Sequence, residues 1–241
     1  MKRILILLGA MLSVGLVYAY SPLTSIDFYK AYIDIPLVKE AAENREVIPD
    51  NDEALTIEES IPEKGKLTPE MMTYLFDDSN PLDIRIALIN AIGFVIDGVT
   101  YKEFIGYCID NFSSSRIIIS DDKVLKEEDI YKMVSPEQMA ILVYLNAMTN
   151  TYDSEKNCEL AEHAMKLPLT NRQSFVLPMA LIMAQRTYDL RRVERLGDIL
   201  DFYLLTPKIQ DMRPEAVRIV KEYADSKKYF EGININVETE E

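Results

Sequence analysis

Apolar residues recur every three or four positions along most of the chain beyond residue 66. This spacing places them on one face of an α-helix, and such a face leaves water by packing against another helix. The pattern is clearest in two segments, whose apolar positions are Ile84, Ala87, Leu88, Ala91 and Ile92 in the first and Met139, Leu142, Val143, Leu145 and Met148 in the second. We therefore predict an all-α fold.

Local chemistry marks several helix starts. Thr68 and Asn80 each precede a proline, which is the arrangement of a capping residue before the first helical position. In a capping box, the first and fourth residues cap each other's backbone N–H groups. Such boxes are predicted at residues 100–103, 135–138 and 170–173.

The helix starts in the second half of the chain follow one another at a nearly regular interval. They are predicted near residues 136, 154, 171, 190 and 214. This interval is expected of stacked antiparallel helical hairpins joined by short loops. Two architectures fit the pattern, an α-solenoid and an irregular helical bundle, and the sequence does not choose between them.

The same patterns divide the chain into segments. Residues 113–123 interrupt the helical pattern with a run of three serines, a run of three isoleucines and two aspartates, which indicates a short strand or a subdomain boundary. The other predicted segments are a signal peptide at 1–19, an irregular N-terminal segment with short helices at 20–66, a helical repeat-like domain at 67–230 and an acidic tail at 231–241.

The first 19 residues have the layout of a secretory signal peptide. Lys2 and Arg3 precede an apolar run, and Val17 and Ala19 place β-branched or small side chains at the two positions that determine cleavage. The run falls short of the roughly 20 apolar residues that a membrane-spanning helix needs. We predict cleavage after Ala19 and an extracytoplasmic chain, periplasmic or secreted, without a membrane span. An uncleaved anchor is the alternative.

The formal charge limits the partners. The chain carries a net charge of −14, which becomes −16 when Lys2 and Arg3 leave with the signal peptide. Such an excess of negative charge repels nucleic acid and anionic membrane surfaces. No nucleic-acid partner is therefore expected, whereas a basic partner or divalent cations are compatible with the charge. The partner that we expect is another protein.

One segment resembles a known family. Residues 73–93, within the repeat-like stretch 67–93, resemble the central part of a HEAT-type helical repeat, with an acidic, proline-containing turn followed by a helix that opens with Asp and Arg and ends in Gly. The matching positions are Asp83, Arg85, Ala87, Ala91 and Gly93. The resemblance implies that Asp83 and Arg85 tie neighbouring repeats together through polar contacts. The small residues let helices approach closely. The match covers about one repeat, whereas three or more are needed for a stable array.

Catalytic and metal-binding motifs are not found in the sequence. It has no Gly-x-Ser-x-Gly elbow, phosphate-binding glycine loop, His-Glu-x-x-His helix or Cys-x-x-Cys pair. A single histidine, His163, and two cysteines are too few for an ordinary zinc site. We therefore assign no catalytic residue and expect no cofactor or metal. The sequence favours a non-enzymatic role without deciding the question.

The two cysteines allow two interpretations. Outside the cytoplasm Cys108 and Cys158 would be able to form a disulfide, which is favoured by an oxidising compartment. Two buried thiols that act as small apolar side chains are equally compatible with the sequence.

A basic cluster stands out in this acidic chain. It consists of Arg186, Arg191, Arg192 and Arg195. We expect these side chains to pair internally with Asp189, Glu194 and Asp198, as neighbouring charges on a helix do. Contact with an acidic partner is the alternative.

Three functional hypotheses follow from these patterns. The leading one is an exported helical scaffold or protein-interaction module of the cell envelope. The others are an all-α hydrolase or lyase that uses buried carboxylates, and a structural component of an envelope assembly.

The predicted cleavage site is testable by one substitution. Expressed with its own leader, the chain should be recovered extracytoplasmically with Tyr20 as its first residue, whereas Ala19→Arg should retain the leader because the cleavage site no longer holds a small side chain. N-terminal sequencing of both forms measures this. Recovery of the unsubstituted chain with Met1 still attached would contradict the prediction.

Overall fold

The computed structural model describes residues 21–45, 65–93, 99–115, 127–192 and 195–228. These residues form eleven α-helices and one 3₁₀ helix and contain no β-strand, so the predicted all-α fold is confirmed. The signal peptide, the acidic tail and residues 116–123 of the predicted interruption lie outside the described residues. Residues 113–115 of that interruption are helical, contrary to the prediction.

The first half of the chain forms mostly short helices. They are α1 (Pro22–Ser25), the 3₁₀ helix (Phe28–Tyr32), α2 (Pro36–Glu43), α3 (Pro69–Phe76), α4 (Leu82–Ile92) and α5 (Val99–Ser115). The second half begins with a short helix and continues with longer ones. They are α6 (Glu127–Met133), α7 (Pro136–Thr149), α8 (Ser154–Ala164), α9 (Gln173–Asp189), α10 (Leu196–Leu205) and α11 (Pro214–Lys228).

Two of the predicted helix caps are confirmed. The hydroxyl of Thr68 accepts a hydrogen bond from the backbone N–H of Met71 at 3.3 Å, at the start of α3. At the start of α7, Ser135 and Gln138 form the reciprocal capping box, with both hydrogen bonds at 3.0 Å. These caps satisfy N–H groups that have no partner within the helix.

The other predicted caps are wrong. In two of them the side chain donates to a carbonyl oxygen elsewhere in the chain. Thr100 lies inside α5, and its hydroxyl donates to the carbonyl oxygen of Gly65 at 2.9 Å. The amide of Asn80 donates to the carbonyl oxygen of Tyr74 at 3.0 Å, and Pro81 is the N-cap of α4. The box at 170–173 is absent too, because α9 begins at Gln173 and its N-cap residue makes no side-chain hydrogen bond.

Helices α7 and α9 form the centre of the molecule. Every residue from Met139 to Thr149 in α7 is buried, as is every residue from Gln173 to Ile182 in α9. Helix α7 packs against α4, α5, α8 and α9, and α9 also packs against α10. Helices that are apolar on all sides are stable in water only when neighbours surround them in this way.

The N-terminal segment is part of the same core. Leu23, Phe28 and Tyr32 are fully buried, with α1 packed on α9 and the 3₁₀ helix packed on α4 and α11. In a solenoid each repeat contacts only its neighbours in the chain. Contacts between such distant segments therefore favour the irregular bundle over the solenoid.

A buried amide fixes this segment in place. Asn90 of α4 accepts a hydrogen bond from the backbone N–H of Tyr29 at 2.9 Å and donates to the carbonyl oxygen of Ile26 at 3.0 Å. Both backbone groups belong to a part of the chain that has few helical partners for them. A buried polar group without a partner costs about 1–3 kcal/mol. The amide of Asn90 avoids this cost because it supplies the hydrogen bonds that water would supply in an exposed segment.

Gly93 ends α4 in a conformation that needs glycine. Its φ of +75° lies in the left-handed region, and a Cβ added there would lie 2.6 Å from Nε of Arg45. The guanidinium of Arg45 is held in place because it donates to Asp27 at 2.6 Å. Any larger side chain would displace it.

We expect Gly93→Ala to lower the free energy of unfolding by about 2 kcal/mol, from backbone strain and the displacement of Arg45. The matched control is Gly106→Ala, since Gly106 lies inside α5 with nothing within 4 Å of an added Cβ. That change should be neutral or stabilising by up to about 1 kcal/mol. Urea unfolding followed by circular dichroism measures both. Equal stabilities would show that the backbone of Gly93 is not strained.

Candidate functional site

A fully buried guanidinium lies between α3, α4 and α7. Arg85 donates to the carbonyl oxygen of Leu75 from Nε at 2.9 Å and from Nη2 at 2.7 Å. Nη2 also lies 3.1 Å from Asp78, and Nη1 donates to Glu137 at 3.2 Å. Burial lowers the pKa of Arg85, and the two carboxylates counter that effect. A buried charge without such partners would be strongly destabilising.

The ion pairing continues from helix to helix. The second carboxylate oxygen of Glu137 accepts a hydrogen bond from Arg172, and Nε of Arg172 donates to Asp211 at 2.7 Å. We call Arg85, Glu137, Arg172 and Asp211 the ion-pair chain. Its charges alternate in sign, and it joins α4, α7 and α9 to the loop between α10 and α11.

Asp211 acts as the missing cap of α9. Arg172, the N-cap residue, makes no capping hydrogen bond, but Asp211 accepts from the N–H of Ser174 at 2.8 Å and from its hydroxyl at 2.6 Å. A carboxylate at this end of a helix is also favoured by the helix dipole. Burial alone would raise the pKa of Asp211, but the hydrogen bonds from Ser174 and Arg172 outweigh burial and hold it below its ordinary value.

A second set of polar contacts lies beside the ion-pair chain. Tyr32 shares a hydrogen bond with Asp83, in the first turn of α4, and accepts another from the N–H of Arg213 at 2.9 Å. Burial raises the pKa of Asp83, and the nearby carboxylate of Asp211 raises it further, although the bond to Tyr32 acts the other way. The guanidinium of Arg213 covers the ring of Tyr32 at 4.7 Å and pairs with Asp34.

These contacts are suited to holding helices together. In the described part of the chain, no buried side-chain nitrogen or oxygen lacks a hydrogen-bond partner. Glu137 and Asp211 are each engaged by arginine, so both carboxylates help to join one helix to the next. No group of three or more His, Cys, Asp or Glu side chains is placed to hold a metal ion, again among the residues that the structure describes.

The repeat-like residues all lie in or next to α4. Arg85 is buried in the ion-pair chain, Asp83 contacts Tyr32, and Ala87 and Ala91 are fully buried. Arg85 contacts α3 and α7 rather than a second copy of the same sequence motif. The resemblance to a HEAT repeat therefore remains a prediction.

The two cysteines are free thiols, so the disulfide that the sequence allowed is not formed. Cys108 is buried in α5, where burial raises its pKa to about 12. Cys158 is buried in α8, where its thiol donates to the carbonyl oxygen of Ile182 at 3.8 Å. Each sulfur is enclosed by its own helix packing, which leaves it weakly reactive.

The basic cluster does not pair with the two expected aspartates. Arg191, Arg192 and Arg195 are exposed at the turn between α9 and α10, and no salt bridge joins them to Asp189 or Asp198 within the described ranges. Asp189 is used elsewhere, since it accepts a hydrogen bond from Gln185 at 2.9 Å and another from Ser154. Glu194 lies outside the described residues.

Arg186 is separate from the other three arginines. It lies in α9, where its side chain forms a hydrogen bond with Cys158. The cluster is therefore reduced to three exposed guanidinium groups at one turn.

Helix α10 has an apolar surface that the periodicity did not reveal. Its inner face, Leu196, Leu200 and Leu204, is buried, and the helix packs against α9 and α11. On the outer face, Phe202 is 65% and Leu205 is 80% exposed. We call the outer residues the α10 stripe, because intervals of three and four place them in one row. They are Arg195, Asp198, Phe202 and Leu205. The signal in the sequence is that the apolar residues of α10 occupy more of the helix surface than the single face that packs inwards.

Comparisons with known proteins identify no relative: no family model, curated protein or solved structure matches the chain. Helices long and apolar enough to cross a membrane are likewise not found among the described residues. The interpretation of the site therefore depends on the chain's own residues.

The role of Asp211 is testable through its pH dependence. Asp211→Asn should lower the free energy of unfolding by about 2 kcal/mol at pH 7, because it removes an ion pair and a helix cap. The pKa of Asp211 is lowered in the folded protein. The carboxylate therefore stabilises the fold above its unfolded pKa of about 3.9, and this stabilisation is lost as the pH falls through the folded value.

The difference between Asp211→Asn and the unsubstituted chain should accordingly narrow when urea unfolding is repeated below about pH 4. Asp198→Asn, which changes an exposed carboxylate of α10, should have little effect at either pH. A constant difference across the pH range would mean that the ionised carboxylate of Asp211 is not what stabilises the fold.

Proposed function

We propose that the protein is an exported, non-enzymatic helical scaffold that binds another protein of the cell envelope. The single observation that supports this proposal most directly is the α10 stripe. It places two large apolar side chains, Phe202 and Leu205, one helical turn apart in water. Single exposed apolar residues are ordinary, but neighbouring ones that include an aromatic ring are typical of protein-binding surfaces.

The stripe is held by a rigid part of the fold. Leu196, Leu200 and Leu204 anchor the inner face of α10, and the ring of Phe202 packs edge-on against Tyr203 at 5.2 Å. The loop that follows α10 is fixed where Ile209 accepts a hydrogen bond from the N–H of Gln173 at 2.9 Å. A surface held in this way loses little conformational entropy on binding, which favours recognition.

The proposed location depends on the first 19 residues. Their basic start, apolar run and small residue at Ala19 support export, and cleavage would leave 222 of the 241 residues. The ion-pair chain supports the non-enzymatic part of the proposal, because it uses the half-buried carboxylates Glu137 and Asp211 to join helices.

The stripe is testable by substitution in the native host. The chain carries its own leader and an affinity tag, and proteins bound to it are cross-linked in cells, recovered and identified by mass spectrometry. We expect the variant Phe202→Ser with Leu205→Ser to recover its partner at least about tenfold less well, because the central apolar contacts are lost.

The control for this experiment is Ile33→Ser, which removes another exposed apolar side chain, 44% accessible, away from α10. It should recover the same partner as the unsubstituted chain. Because all three side chains are exposed, both variants should keep their helical circular dichroism. Undiminished recovery by the double variant, or recovery of the protein alone together with turnover of a metabolite, would refute the proposed function.

A further inference from the structure

We infer that the α10 stripe binds a short acidic segment of the partner, in which two apolar side chains cover Phe202 and Leu205 and neighbouring carboxylates contact the arginines of the α9–α10 turn. This inference rests on the proposed function and specifies the chemistry of the partner. It is drawn from the size of the stripe's apolar part, the charges of Arg195 and Asp198 at its other end and the backbone of the turn.

The size of the apolar surface favours a short segment. With Phe202 65% and Leu205 80% exposed, the two side chains offer on the order of 300 Å². A stable complex between two folded proteins buries about 800 Å² on each partner. The stripe is thus too small to hold a second copy of this chain by itself, but it suits two anchoring side chains of a peptide.

The charge at one end of the stripe favours an acidic ligand. Arg195 belongs to the stripe, and Arg191 and Arg192 precede it in the exposed turn. The chain as a whole carries −14, so most of its surface repels an acidic ligand, whereas in this turn the three arginines outnumber the single carboxylate between them in the sequence, Glu194. Arg195 is also the N-cap of α10 and makes no side-chain cap, so the dipole of a ten-residue helix adds to the attraction.

Asp198 sets the direction in which the ligand lies. It is exposed between Arg195 and Phe202 on the same row, where it repels a carboxylate placed above it. The carboxylates of the ligand therefore lie towards the arginines, and its apolar side chains lie towards Phe202 and Leu205. A ligand with the reverse order of groups would place its charges over an apolar surface.

The backbone of the turn holds the arginines in place. The N–H of Arg191 donates to the carbonyl oxygen of Tyr188 at 2.8 Å, and that of Arg192 donates to Thr187 at 3.1 Å. Arg191 itself has a φ of 57°, a left-handed conformation that costs about 1 kcal/mol or more in a residue with a side chain. The end of α9 thus holds the backbone of Arg191 and Arg192, and both residues are exposed.

The test uses a random library of 16-residue peptides displayed on phage and selected on the full chain. We expect enriched peptides to carry several Asp or Glu residues next to two large apolar residues. The affinity of an enriched peptide is then measured by fluorescence anisotropy. It should fall when salt is raised from about 0.05 M to about 0.5 M, because screening weakens the contacts between exposed charges.

Two variants separate the contributions of charge and apolar contact. The variant Arg191→Gln, Arg192→Gln, Arg195→Gln should bind the enriched peptide at least about tenfold more weakly and lose the salt dependence. Arg218→Gln is the matched control, because Arg218 is an exposed arginine of α11 that pairs with Glu215 and Glu222. It should bind as the unsubstituted chain does.

Several results would overturn the inference. These are the failure of any peptide to be enriched, the enrichment of neutral or basic peptides, and equal binding by the triple-arginine variant. Concentration-dependent dimerisation that Phe202→Ser with Leu205→Ser abolishes would identify a second copy as the occupant. Binding that appears only after residues 229–241 are removed would identify the chain's own end as the occupant.

Failure of this inference and failure of the proposed function are distinguishable. If the triple-arginine variant binds normally while the apolar double variant loses the cellular partner, the scaffold function stands and only the acidic chemistry is wrong. If the double variant keeps its partner in cells, the scaffold proposal fails whichever peptides are enriched.

Discussion

The arrangement of the central helices depends on neutralising one buried charge. The guanidinium of Arg85 is out of water, and its buried charge is stabilised because the end of α3, the turn at Asp78 and the first turn of α7 all supply oxygen atoms. Removing any one of these partners would leave a charge in a medium of low dielectric constant, at a cost of several kcal/mol. The apolar faces bring the helices together without specifying their relative positions, and Arg85 adds that specification.

The ion pairing extends across the molecule because Glu137 and Asp211 each interact with two partners. Glu137 lies between Arg85 and Arg172, and Asp211 lies between Arg172 and the N-terminus of α9. If one helix moved, charged side chains on two other elements would therefore lose their ion-pair partners, and this favours cooperative unfolding. The stripe on α10 benefits from this, because the loop after α10 is tied to α9.

The sequence predicts this fold where the determining contacts are local. Helical periodicity depends on residues three or four apart, and the caps of Thr68 and Ser135 depend on residues three positions later, so both were predictable. Arg172 and Asp211 are 39 positions apart, and nothing in the pattern pairs them. The α10 stripe was missed for a related reason: an apolar position does not reveal whether a neighbouring helix will cover it. The arginines of the turn were assigned to nearby acids, but Asp189 accepts hydrogen bonds from Gln185 and Ser154 instead.

The hydrogen bond from Arg213 to Tyr32 joins residues 181 positions apart, in a chain whose N-terminal segment is otherwise inserted among later helices. Contacts of such long sequence separation form late, because the intervening chain must first be ordered. The first helices of the bundle therefore have no completed binding place until the ribosome has synthesised α11. A chain built in this way acquires its final packing only after α11 has left the ribosome, so its early helices must wait for a partner that is synthesised much later.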